Sequence, residues 1–397
     1  MPDQRFFAES PESVGIDPEK LEAVFDRAEK EVREGILPSS QIAIARHGKI
    51  AGMRTVGSAN FLGREALATN DTLYCVFSST KAITSAAAWL LIQEGKLHTD
   101  EIVADIVPEF GSNGKDIVTV EQLFTHTAGF PTAPFPPPAF HDREKRLKIF
   151  AKWRLNFEPG SRFIYHPSSS MYVIAEIIER RSGMGYDEFV RQRIALPLGL
   201  EDLWVGLPED QHGRLADIVH VGKALTDADY ERMGMPIPPA TEVTEENVEK
   251  FNLADFRKAG IPGGGGTMTA GDLALFYQAL VNGGRSLDGE EIWKPETIAM
   301  ARQVRTGDLT DMVFGKRANR ALGLMIAGDS DRNYRGFGHT NSELAFGHGG
   351  AGGQIAWADP ATGISIGYCT NGHDRDNIRQ ARRSIGISSR AAICALD

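Results

Sequence analysis

Cysteine is scarce in this 397-residue chain: Cys75, Cys369 and Cys394 stand far apart, and no C-x-x-C pair occurs. That excludes a disulfide framework. Basic stripes are missing too, and the net charge is −10, so nucleic acid is not an expected partner. No apolar run is long enough to span a bilayer, which removes membrane-spanning functions. The opening Met1-Pro2-Asp3-Gln4-Arg5-Phe6-Phe7 lacks the basic and apolar regions of a secretion leader, so a cytoplasmic location is expected. H-E-x-x-H is absent and the ten histidines are dispersed, which argues against a metal. The glycines Gly263 to Gly266 lack the lysine of a phosphate loop, and they read as a tight turn. No cofactor is expected.

What is present points to an activated serine. Ser78-Ser79-Thr80-Lys81 opens a run, Ala82-Ile83-Thr84-Ser85-Ala86-Ala87-Ala88-Trp89-Leu90-Leu91-Ile92, that is apolar on nearly every face. Such a helix is buried rather than amphipathic. Positions three apart share a helix face, so the Lys81 amine reaches the Ser78 hydroxyl. A buried lysine is costly unless paired or neutral, and a neutral amine beside a hydroxyl is a base beside a nucleophile. The helix start also favours a developing oxyanion at Ser78. A second S-x-x-K, Ser112-Asn113-Gly114-Lys115, lies in a loop with no buried helix behind it. Gly363-Ile364-Ser365-Ile366-Gly367 imitates a nucleophile elbow, yet its serine sits inside an alternating strand instead of a strand–turn–helix.

Around the quartet, periodicity outlines the fold. Asp17-Pro18 caps an amphipathic helix carrying Leu21, Val24, Phe25, Ala28 and Val32. Gln41–Ala45 and Ile50–Val56 form a hairpin across His47-Gly48, and Gln354–Ala358 with Ile364–Tyr368 form another. From about Thr119 to Asp255 the pattern is helical and loop-like, including a Thr119/Gln122 capping box and a helix over Tyr172–Ile178. A helix capped by Thr269 and Asp272 follows, and one from about Asn377 to Ala395 closes the chain. The expected fold is α/β of the α+β type: an antiparallel sheet flanked by the first and last helices, plus a mostly helical lobe. Residues 1–85 and 260–397 would make the first unit and 86–259 the second, with the site in the cleft between them.

Two further stretches complete a site. Tyr165-His166-Pro167 stands at the head of the Tyr172 helix, and a buried tyrosine near a lysine can relay a proton. Gly347-His348-Gly349-Gly350-Ala351-Gly352-Gly353 leads into a strand, where glycines let a substrate approach closely. His166 either tunes the site or faces solvent. The proline-rich stretch from Phe130 to Phe140, with Phe135 inside it, is either a stiff surface loop or a wall of an acyl pocket.

In this order the motifs resemble the penicillin-recognising serine hydrolases, and among them the class C β-lactamase-like, family VIII carboxylesterases. Leu123-Phe124-Thr125-His126-Thr127-Ala128-Gly129 and the Gly263–Asp272 stretch are similar as well. The resemblance implies a β-lactamase-like fold and two-step acyl transfer. Ser78 would be acylated, Lys81 would be the general base and Tyr165 the proton shuttle. The N–H groups of Ser78 and Ala351 would form the oxyanion hole, and His348, Gly349, Gly350, Phe135 and His166 would contact substrate. Pro167 stands where the family often has asparagine, and His348 where it has the lysine of K-T-G. Both departures point to short-chain carboxylic esters as small-molecule substrates. Acyl transfer to another acceptor, amide or β-lactam hydrolysis and a non-catalytic binding module are the alternatives. The sequence sets no oligomeric state.

Overall fold

Alternation along the first hairpin sorts its side chains between two layers of helix. The computed structural model describes residues 2–237 and 243–396. A seven-stranded antiparallel sheet runs in the spatial order Met325–Ile326, Phe346–Gly347, Ile355–Asp359, Ile364–Thr370, Ser39–Arg46, Lys49–Phe61, Arg64–Leu67. The N- and C-terminal hairpins therefore meet edge to edge, Ile42 facing Tyr368 across the ladder. Ile42 and Ile44 point to one face, where they pack with Leu21, Val24 and Phe25 of the Pro18–Arg33 helix and Ile387 of the Asn377–Ala391 helix. That closing helix ends four residues before the expected Ala395.

Ala43 and Ala45 point to the opposite face, under the Ala270–Val281 helix. Small residues there bring the helix close. A Cβ on Gly367 would lie 2.2 Å from the Ala270 carbonyl oxygen, a backbone atom that cannot swing aside. Gly367→Ala is therefore expected to cost about 2 kcal/mol through overpacking, measured as a lower urea midpoint. An unchanged midpoint would mean that this layer yields.

One apolar cluster continues from this face through the Thr80–Gln93 helix to the Ser169–Ser182 helix. The expected Thr119/Gln122 capping box is present. The middle of the chain is not wholly helical and loop-like. Trp204–Val205 pairs with Gly266–Met268, which also pairs with Tyr74–Cys75, while Val219–Val221 pairs with Gly372–Asp374. These ladders are two or three residues long, too short to alternate visibly, and their partners are remote in sequence. The Tyr74–Cys75 ladder holds the segment that delivers Ser78. Burial pushes the Cys75 thiol up to about 12, which makes it a structural thiol rather than a reactive one. Among the described residues, no helix is long and apolar enough to cross a membrane.

Candidate active site

Chain direction changes sharply just before Ser78. Phe77 has φ +44°, a left-handed conformation that costs about 1–3 kcal/mol in a non-glycine residue. Its ring is held against Phe251, with centroids 5.3 Å apart, so packing maintains the turn. The one-turn helix Phe77–Ser79 then feeds the Thr80–Gln93 helix. Thr80 and Thr84 tie this helix to the glycine turn: Thr80 Oγ1 accepts from the Gly266 N–H at 2.9 Å, and Thr84 Oγ1 donates to Pro262 O at 2.6 Å.

Lys81 is fully buried. Its Nζ lies 3.1 Å from Ser78 Oγ and donates to Gly263 O at 2.6 Å, and no carboxylate pairs with it among the described residues. Nζ thus bridges the serine hydroxyl and the carbonyl of the glycine turn. The carbonyl of Gly263 was not foreseen from sequence beyond the presence of a turn. A side chain at 263 would meet Pro167 O at 3.1 Å, which explains the glycine.

Tyr165 Oη donates to Ser78 Oγ at 3.0 Å. Its ring lies 4.6 Å from the His126 ring, 5.2 Å from Lys81 Nζ and 6.1 Å from the His348 ring. His348 is buried, and its Nδ1 contacts Gly349 O at 2.7 Å. Donation by Nδ1 leaves Nε2, which has no hydrogen-bond partner among the described residues, as a bare lone pair. Desolvation, reinforced by Arg320 and Lys81, holds the imidazole well below its ordinary value, so it is neutral at pH 7.

Ser78 and Ala351 border two cavities at once. The larger, 490 Å³, has walls from Phe135, Pro136, Tyr172, Phe251 and Phe256. The smaller, 350 Å³, is lined by Tyr165, His348, Gly349, Gly350 and Arg335. Phe135 thus faces the larger cavity, stacked on Tyr172 at 4.0 Å. The wall from Val248 to Phe256 went unnoticed in the sequence because nothing local links it to Ser78.

His166 corrects its expectation. It reaches neither cavity. Its fully buried ring accepts from the Phe130 N–H at 3.1 Å through Nε2 and contacts Ile164 O at 2.7 Å through Nδ1. Burial pushes it down to about 4, and a neutral ring bracing two loops replaces the expected substrate contact. His126 braces the same loops, accepting from the His166 N–H at 3.2 Å. Both decoys are tied down: Ser365 Oγ donates to Ala274 O at 2.7 Å, and Lys115 Nζ bonds the Ser112 carbonyl rather than its hydroxyl.

Comparison with known proteins places the chain in a family. The family model described as Beta-lactamase matches residues 25–386. A penicillin-binding protein homolog from Caulobacter crescentus superposes with a TM-score of 0.77 at 31% identity, covering 95% of this chain and 99% of that one. A family VIII carboxylesterase superposes with a TM-score of 0.77 at 28% identity, with the same two coverages, 95% and 99%. An Escherichia coli (strain K12) protein named "Putative D-alanyl-D-alanine carboxypeptidase" is 27% identical over 395 residues, covering 91% of this chain and 84% of its own. A match spanning nearly the whole chain, with strongly similar solved relatives, means that the protein belongs to the beta-lactamase family and is a serine hydrolase of that superfamily.

Proposed function

We propose that the protein hydrolyses carboxylic esters, short-chain ones among them, through an acyl-enzyme on Ser78. The observation that carries this reading is the double hold on one oxygen: Ser78 Oγ lies 3.1 Å from Lys81 Nζ and 3.0 Å from Tyr165 Oη where two cavities meet. In the proposed sequence Lys81 takes the Ser78 proton as Oγ attacks the carbonyl carbon. The N–H groups of Ser78 and Ala351 hold the oxyanion. Tyr165 lines the smaller cavity but not the larger, so the leaving alcohol is protonated on that side and the acyl group occupies the larger one. Water then attacks the acyl-enzyme by the reverse proton route.

Charge favours a neutral ester over a β-lactam or peptide carboxylate. His348 is uncharged at pH 7, and Arg335 of the smaller cavity is already paired with Asp329. Pro167, which lines the larger cavity, itself carries no side-chain amide to hold a substrate amide. Amide hydrolysis is the second reading, supported by the carboxypeptidase name of the Escherichia coli relative. Intact-mass analysis separates the two. A p-nitrophenyl ester series from acetyl to octanoyl is expected to leave an acyl adduct mapping to Ser78, whereas nitrocefin and D-alanyl-D-alanine peptides accumulate little. Adducts from the peptides alone would reverse the order.

A further inference from the structure

We propose that Arg320 is the fixed counter-charge for Tyr165, stabilising the phenolate left when Tyr165 protonates the departing alcohol. Five arginines are buried among the described residues: Arg146, Arg257, Arg320, Arg335 and Arg383. Four have carboxylate partners, respectively Glu176, Asp217, Asp329 and Asp374. Among the described residues Arg320 has no such ion pair, and its Nε and Nη1 have no hydrogen-bond partner there. A buried guanidinium with no ion pair and two partnerless nitrogens is costly, so its position calls for a compensating function.

Its neighbours identify that function. The guanidinium centre lies 5.4 Å from the centroid of the Tyr165 ring and 5.2 Å from that of Phe163, two residues earlier. Rings at this range attract a cation, and a phenolate attracts it far more strongly. Lys81 is the other cation over the Tyr165 ring, at 5.2 Å. His126 and His348 also flank that ring, and burial together with Arg320 itself holds both neutral. Asp311 and Arg335 act on Arg320 from farther off, with opposite signs. Arg320 borders neither cavity, so it acts through Tyr165 and is a positioning residue.

The inference rests on the reading that Ser78 is acylated with Tyr165 as proton donor. In that step the carbon–oxygen bond of the ester breaks and its electron pair stays on the alcohol oxygen. The Tyr165 proton joins that oxygen, leaving a phenolate. The ammonium formed on Lys81, when it took the Ser78 proton, then returns a proton to Tyr165. Arg320 keeps its proton throughout.

Leaving groups supply the test. An ethyl ester needs a proton delivered to its alkoxide; a p-nitrophenyl ester of the same acid leaves as a stable phenolate without one. Arg320→Met is expected to lower kcat/KM about 30-fold on the ethyl ester, the equivalent of losing a desolvated cation–π contact. On the p-nitrophenyl ester the loss should stay within about threefold. Arg320→Lys should recover most of the ethyl-ester rate, and stoichiometric fluorophosphonate labelling of Ser78 verifies the folded site. If Arg320→Met does not fold, Arg320→Gln is measured for the same ratio. Equal losses on both esters, or none on the ethyl ester, overturn the assignment of Arg320 alone. A wild type that turns over neither ester overturns the ester reading beneath it, and this inference with it.

Discussion

Ser78→Ala is expected to lower kcat/KM at least about 10⁴-fold on every ester that the wild type hydrolyses, because removing a catalytic nucleophile leaves only binding and the oxyanion site. Fluorophosphonate labelling should disappear with it. The fold should survive, since Ser78 is only half-buried and its hydroxyl bonds two side chains, Lys81 and Tyr165, rather than the backbone of a core element. Two other serines that the sequence offers are not placed to take over. Ser79 is fully buried in the turn that follows, and Ser365 is held by Ala274 O and by Gln278, whose amide donates to it at 3.0 Å. Retained activity, or retained labelling at another serine, would remove Ser78 from the chemistry.

Local signals made the first half of this site legible. Ser78 and Lys81 are three residues apart where a one-turn helix feeds a helix whose buried character shows in composition, so their contact followed from helical spacing. Both terminal hairpins announced themselves by alternation around short turns. The meeting of those hairpins in one sheet was expected from layer logic, and the register Ile42–Tyr368 shows how they join. What stayed hidden depends on chain segments far apart. Nothing near Arg320 in the sequence, Ala318-Asn319-Arg320-Ala321, distinguishes it from a surface arginine; only the missing partner and the nearby Tyr165 ring do. His166 was ambiguous for the same reason, because its two loop partners, Phe130 and Ile164, come together only in the folded chain. The Gly263 carbonyl belongs to this group too: a glycine turn was readable, its aim at Lys81 was not.

Lys81→Met tests the other half of the pair and separates activity from stability. General-base assistance is worth about 10²–10⁴-fold, so kcat/KM should fall about a thousandfold. The loss should appear on p-nitrophenyl and ethyl esters alike, because activation of Ser78 precedes any departure of the alcohol. That equality distinguishes Lys81 from Arg320, whose removal should spare the p-nitrophenyl ester. Stability should respond differently. Lys81 is fully buried with no carboxylate partner among the described residues, so methionine of similar length removes a desolvated amine from the helix. Against that, the Gly263 carbonyl loses its 2.6 Å donor, a penalty of about 1–3 kcal/mol if nothing replaces it. The two effects oppose each other at comparable size, and the urea midpoint is expected to move little while activity collapses. A residue retained for catalysis against a stability cost behaves in this way. Residual kcat/KM within tenfold of wild type would sink the general-base role. A midpoint falling in parallel with activity would instead make Lys81 a structural strut for the glycine turn.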